Sequence, residues 1–280
     1  MKKWLQGQWV ILSGASSGIG KEICKILVRC YGANVFGIGR REEKMLALQS
    51  ELGENADRFD YALFDVGSRD EWQNLAEKLS ARNIAPILLI NNAGVFPTFE
   101  KVLNTNSETF EKVLQTNYLS VVYAVEAIAP LVLANQSHKP AIVNVASSAA
   151  LCTVVGTAAY SASKAAVKAY TESLALEEKG KIHVGIIYPG TTKTDLFRSD
   201  ENTQKSALDI VAMPAEKMAK KIVKKIVKRK RRAVVGWDAK LMNLTAKIMP
   251  VKGLLIIRSV MKASHSKVFS IVFNNDDNRK

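Results

Sequence analysis

The sequence predicts an α/β protein: a doubly wound, seven-stranded parallel sheet covered by helices on both faces, followed by a C-terminal helical appendage. Three observations carry that prediction. Seven short β-rich apolar runs alternate with longer stretches of helical period. A glycine-rich turn joins the first run directly to the first helical stretch. No Pro/Gly/Ser-rich linker or internal repeat interrupts the alternation, so residues 1–236 read as one domain and 237–280 as the appendage. With 280 residues, 48% of them hydrophobic, the chain can bury a sizeable core.

The predicted strands are 8–13, 33–39, 58–64, 86–90, 140–146, 182–188 and 232–236. The helices between and after them are 19–31, 42–52, 69–82, 107–134, 157–178 and 214–229. After the first strand comes Ser13-Gly14-Ala15-Ser16-Ser17-Gly18-Ile19-Gly20. Its glycines allow a tight turn and close approach of a phosphate, and the helix N-terminus offers unpaired N–H groups. This is a dinucleotide cradle, spaced Gly-x-x-x-Gly-x-Gly. The second strand ends in Gly37-Ile38-Gly39-Arg40-Arg41, where an acidic residue would suit the ribose hydroxyl of NAD. Arginines suit a 2′-phosphate, which points to NADP, with NAD as the alternative.

Further along, Tyr160 and Lys164 lie four residues apart on a helix and share a face, with Ser147 thirteen residues upstream of the phenol. A phenol titrates near pH ~10 when unperturbed, and a fixed cation beside it lowers that value. The pair is therefore a candidate for proton transfer near neutrality.

At this point the chain resembles a short-chain dehydrogenase/reductase over residues 8 to about 236, and the resemblance implies a Rossmann-type fold. Leu63-Phe64-Asp65-Val66 is similar to the segment whose aspartate meets the adenine. Asn91-Asn92-Ala93-Gly94 resembles the turn that lines the cofactor after the fourth strand. Asn117 falls where the family keeps an asparagine that holds a proton-relay water. Ile142 to Ser147 resembles the strand ending in the catalytic serine, and Tyr188-Pro189-Gly190-Thr191-Thr192-Lys193-Thr194 the turn that binds the nicotinamide carboxamide. The resemblance thus implies a catalytic set of Asn117, Ser147, Tyr160 and Lys164. The implied cofactor contacts are Gly14, Ser16, Ser17, Gly18, Ile19, Gly20, Arg40, Arg41, Asp65, Val66, Asn92, Ala93, Gly94, Pro189, Gly190, Thr192 and Thr194, besides Tyr160 and Lys164. Two positions depart from the pattern. Ser17 replaces a second basic residue, and Ala146 precedes Ser147, whose spacing to Tyr160 favours it over Ser148.

The implied activity is hydride transfer between NADP and a secondary alcohol or ketone, with a bulky apolar substrate such as a hydroxysteroid. A 3-oxo lipid or 3-oxoacyl reductase is one alternative; a non-catalytic NADP-binding scaffold or sensor is another. Phe96, Val154, Leu196 and Phe197 are candidate pocket residues from their adjacency to the motifs. By resemblance the protein is a homodimer or homotetramer through helices 107–134 and 157–178. There Ala158, Ala162, Ala165, Ala166 and Ala169 either allow close packing or face the sheet.

The remaining features concern environment. Cys24, Cys30 and Cys152 read as reduced core residues, no metal site is expected, and no apolar run reaches the ~18 residues of a membrane span. A cytoplasmic location follows. The net charge of +14 is concentrated in residues 216–232, which hold ten basic side chains against Glu216. Met218, Ala219, Ile222, Val223, Ile226 and Val227 form an apolar stripe on that segment. Either the stripe faces the core beneath solvated lysines, or the segment and the apolar tail after it contact an anionic membrane peripherally. Nucleic acid is not an expected partner, for want of an aromatic platform.

Overall fold

The computed structural model describes residues 3–194, 212–264 and 267–273. Seven strands form one sheet: β1 (Trp9–Ser13), β2 (Asn34–Gly39), β3 (Phe59–Leu63), β4 (Leu88–Asn91), β5 (Ala141–Val145), β6 (His183–Pro189) and β7 (Arg232–Val235). Their order is β3-β2-β1-β4-β5-β6-β7 and every neighbouring pair is parallel. The expected strands are all present, with ends shifted by one or two residues. A two-residue ladder between Thr192–Lys193 and Met213–Pro214 was not expected.

The helices are α1 (Gly18–Tyr31), α2 (Glu42–Leu52), α3 (Arg69–Ala81), α4 (Ser107–Leu114), α5 (Ser120–Ala134), α6 (Ala158–Glu177), α7 (Ala215–Val227), α8 (Trp237–Ile248), α9 (Lys252–Ala263) and α10 (Lys267–Phe273). Alternate residues of a strand point to opposite faces, so a parallel sheet needs a helical layer on each side. Val10 and Leu12 pack with Ile23 and Leu27 of α1 and Ile222 of α7, whereas Ile11 packs with Trp72 of α3 and Ile128 of α5. The winding reverses between β1 and β4. Their carboxyl ends therefore flank the crevice in which such sheets bind ligands.

The apolar stripe of the lysine-rich helix has one fate in the structure. Met218, Ala219, Ile222, Val223 and Ile226 are fully or almost fully buried, so the stripe belongs to the core and only the basic face of α7 meets solvent. The expected continuous helix 107–134 is instead α4 and α5 joined by a π-turn, Gln115–Leu119. It is long and apolar enough to cross a membrane by composition. Yet Val121, Ala124, Val125, Ile128 and Val132 are buried within the fold. Cys24 and Cys152 are buried as expected, but Cys30, next to the end of α1, is exposed. Ala162, Ala165 and Ala169 face outward from α6 rather than toward the sheet.

Candidate active site

A cavity of about 540 Å³ opens at the carboxyl ends of β1, β4, β5 and β6. Its floor is a pair of loops bolted together. The Ser13 hydroxyl accepts hydrogen bonds from the backbone N–H groups of Asn92 and Ala93, both at 3.0 Å, and Asn92 Nδ2 donates back to the Ser13 carbonyl at 3.1 Å. The approach leaves no room for side chains. Gly14 has φ +69°, and a Cβ there would stand 2.9 Å from Ala93 Cα; a Cβ at Gly20 would overlap the Gly14 carbonyl oxygen. Ser17 precedes α1 without forming a side-chain cap. The first amides of the helix are thus left for a ligand, and Ser17, Gly18 and Ile19 line the cavity. A space that only glycine can supply, next to uncapped amides, fits the pyrophosphate of a dinucleotide.

At the far rim lie Arg40 and Arg41. The Arg40 guanidinium is 3.5 Å from the Asp65 carboxylate, with both side chains more than half exposed. A pair so open to water is weak, so Arg40 can turn toward an anionic ligand at little cost.

The opposite end holds the proton chemistry. β5 delivers Ser147 in extended backbone, and its hydroxyl accepts a hydrogen bond from Ala149 N–H at 3.2 Å. Tyr160 and Lys164 rise from the first turns of α6, both buried. Burial pushes the Tyr160 phenol above its ordinary value, with a hydrogen bond to Ser147 acting in the opposite direction. Burial also brings the Lys164 ammonium down to about 8. Its Nζ donates to the Val145 carbonyl at 3.3 Å and stands 5.9 Å from the centre of the Tyr160 ring. The expected lowering of the phenol by the lysine is therefore not what the protein groups produce by themselves. Removal from water disfavours both charged forms. The phenol keeps its proton, and the group that titrates nearest neutrality is Lys164.

Asn117 sits fully buried on the π-turn behind this pair. Its Oδ1 accepts from Val95 N–H at 2.7 Å, while Nδ2 donates to the Val95 carbonyl and to Ser163 Oγ, each at 3.0 Å. Ser163 in turn donates to the Tyr160 carbonyl at 2.7 Å. A Cβ on Gly94 would lie 3.2 Å from both Asn117 Oδ1 and Lys164 Nζ, so the two groups converge on one point of backbone. The wide π-turn, a feature often found at functional sites, supplies the offset that places Asn117 there.

The structure thus brings to the cavity Gly14, Ser17, Gly18, Ile19, Gly20, Arg40, Arg41, Asn92, Ala93, Gly94, Ser147, Tyr160, Lys164, Pro189, Gly190, Thr192 and Thr194, together with Phe96 and Val154. Ser16, Asp65, Val66 and Asn117 stand outside its wall: Ser16 packs on Gly39, and the Val66 carbonyl accepts the Trp72 indole N–H at 2.9 Å. Leu196 and Phe197 lie outside the described residues. Sequence reasoning named no residue of the appendage as part of the cavity. Met242 of α8 and Phe269 of α10 line the cavity, as does Phe99. Asp238 of α8, buried, accepts the Thr191 N–H at 2.6 Å.

The glycine cradle, the rim arginines and the cluster of half-buried Ser147 with buried Tyr160 and Lys164 define a nucleotide-dependent oxidoreductase. Residues 8–205 match the short chain dehydrogenase family, and the chain belongs to it. It is 30% identical over 193 residues to 3beta-hydroxysteroid dehydrogenase 2 of Eggerthella lenta, covering 69% of this chain and 74% of that one. Its fold is also that of two solved short chain dehydrogenases. The one from Burkholderia cenocepacia, in complex with NADP, gives a TM-score of 0.74 at 21% identity over 90% of this chain and 98% of its own. The one from Burkholderia phymatum, in complex with NAD, gives 0.72 at 22% identity over 82% and 89%.

The depressed Lys164 value has a consequence for stability without cofactor. The unfolded chain keeps the lysine proton up to about 10.5 and the fold releases it near 8, so the unfolded state binds more protons between those values and stability rises with pH there. Tyr160 acts only above its ordinary value of 10, outside most of that window. Lys164→Met should therefore raise stability at pH 7 by on the order of 1–3 kcal/mol in urea unfolding, with the gain shrinking toward pH ~10. An equal gain at both pH values would show that Lys164 is not held in that way.

Proposed function

We propose that the protein is an NADP-dependent oxidoreductase that interconverts a bulky, apolar secondary alcohol and its ketone. The observation that carries this reading is the wall above the phenol. The Phe96 ring meets Tyr160 edge-on at 5.3 Å and Phe99 at 4.9 Å, and Phe99 meets Phe269 of the appendage edge-on at 5.1 Å. Behind them Met261, Val272 and Phe273 complete an apolar cluster. Such a wall favours a large apolar ligand, with Ser147 and Tyr160 as polar anchors beside it. The hydroxysteroid dehydrogenase relative supports the same substrate class.

When bound, the nicotinamide supplies or accepts the hydride. In the reductive direction Tyr160 gives its proton to the carbonyl oxygen, and Ser147 hydrogen-bonds the same oxygen as negative charge grows on it. Tyr160 carries its proton at neutral pH, as this role requires. Lys164 restores the proton: with its value near 8 it can pass one on without large cost, and Asn117 fixes the turn beside it. Arg40, assisted by Arg41, meets the 2′-phosphate, which favours NADP over NAD.

A ketone panel followed by cofactor absorbance tests the reading. Turnover with NADPH should exceed that with NADH, and Phe269→Ala should raise KM for bulky ketones by about tenfold while leaving small ketones nearly unchanged, as expected for loss of an aromatic wall. Equal effects on small and bulky ketones would exclude the apolar-substrate reading. A clear preference for NADH would exclude the role of Arg40.

A further inference from the structure

The appendage has a second face, turned away from the cavity. Along α8, Ala239 and Asp238 are buried and Met242 lines the cavity. At helical spacing on the other side stand Trp237, Leu241, Leu244 and Ile248, between 53% and 67% exposed. α9 packs on α8 so closely that a Cβ on Gly253 would lie 2.6 Å from Thr245 Cγ2. It presents Leu255 and Val260 in the same way, 59% and 65% exposed. Exposed apolar side chains in such number mark a surface that meets something. Interleaved with them are Lys240, Lys247 and Lys252, all exposed, while Asp238 is the single acidic residue of α8 and α9 and is used inside the protein.

We infer that the outer face of α8 and α9 docks on an anionic lipid surface. Charge decides between the possible occupants. A second copy in an isologous contact would bring the same lysines together with no exposed carboxylate among the described residues of these helices to meet them. A bilayer with acidic headgroups takes both components at once: the leucines, isoleucine and valine at the acyl boundary, the tryptophan and lysines at headgroup level. Docking this way sets the cavity residue Met242 on a helix in contact with lipid.

The test is flotation of the full-length protein with vesicles of phosphatidylcholine alone or mixed with phosphatidylserine, with no cofactor or substrate present, so its outcome is independent of the catalytic reading. The protein should float with the mixed vesicles and much less with phosphatidylcholine. Leu241→Ser/Ile248→Ser and Lys240→Glu/Lys247→Glu, at exposed positions, should each reduce bound protein by about tenfold while melting as the parent does. Equal flotation of parent and variants, no flotation at low salt, or a dimer in solution that the leucine variant dissociates would overturn the inference.

A separate observation concerns Asp238. Its carboxylate fills the space beside Gly190, where any Cβ would overlap it, and it lies 2.5 Å from the Cβ position of Gly236. Gly190 N–H is held by the Val235 carbonyl at 2.8 Å and Thr191 N–H by Asp238 at 2.6 Å. The geometry points to Asp238 as a positioning residue that sets the 189–192 turn, which resembles the nicotinamide-binding turn of the family; this rests on the proposed cofactor site. Asp238→Ala should raise the KM for cofactor by about tenfold with little change in KM for ketone, and Asp238→Asn, which keeps an acceptor, should recover most of it. If the alanine variant does not fold, Asp238→Ser, whose shorter side chain withdraws the carboxylate from the turn, reads the same constant. A folded variant with unchanged cofactor KM would overturn the assignment. A protein that turns over no ketone at all would fail the catalytic reading instead, and cofactor binding followed by fluorescence would still report on Asp238.

Discussion

A buried phenol and a buried ammonium on one face of a helix set the terms for everything around them. Burial raises the Tyr160 value and brings Lys164 down to about 8, disfavouring the charged form of each. That state is costly, and the structure meets the cost with fixed partners. The Val145 carbonyl takes the ammonium, Ser147 meets the phenol, and Asn117 with Ser163 fixes the helical turn that carries both. The π-turn and the bare backbone at Gly94 are then consequences of fitting these groups into one space. At the other end of the cavity the demand is reversed. There the backbone must approach a phosphate, and the Ser13 hydroxyl bolts the β1 and β4 turns together so that Gly14 and Gly20 leave room.

The appendage is part of the site rather than an addition to it. α8 reaches the 189–192 turn through Asp238, α10 reaches the aromatic wall through Phe269, and Val272 packs where Gly156 has no side chain. The family match ends at residue 205, before any of these elements. Phe96, Phe99 and Val154, inside the match, and Met242 and Phe269, beyond it, line the cavity together.

This division explains what could be read from sequence. The seven strands were legible because each is a short apolar run ended by turn residues, and the glycine cradle because its meaning is contained in eight consecutive residues. Tyr160 and Lys164 stood out by their spacing along one helix, and Ser147 by the resemblance of its segment to the family's, with the spacing to Tyr160 in support. The interruption of 107–134 was not, since a π-turn at Asn117 is set by partners such as Val95 and Ser163. Asp238 was invisible because its partner is 47 residues away and a carboxylate in a first helical turn already has an ordinary explanation. The Tyr160 value went the other way from expectation because spacing reports the nearby cation, whereas burial, which dominates, exists only in the fold. For α7 the periodicity was right and the structure supplied which side of it was covered.

The central claim is that Tyr160 is the proton donor, and the most direct measurement is turnover of Tyr160→Phe at saturating NADPH, with cofactor binding followed separately by fluorescence. The account predicts a folded protein that binds cofactor with little change and loses turnover by at least about 10³-fold, the scale for losing a general acid together with its stabilisation of the oxyanion. Turnover near that of the parent, with cofactor bound, would contradict it.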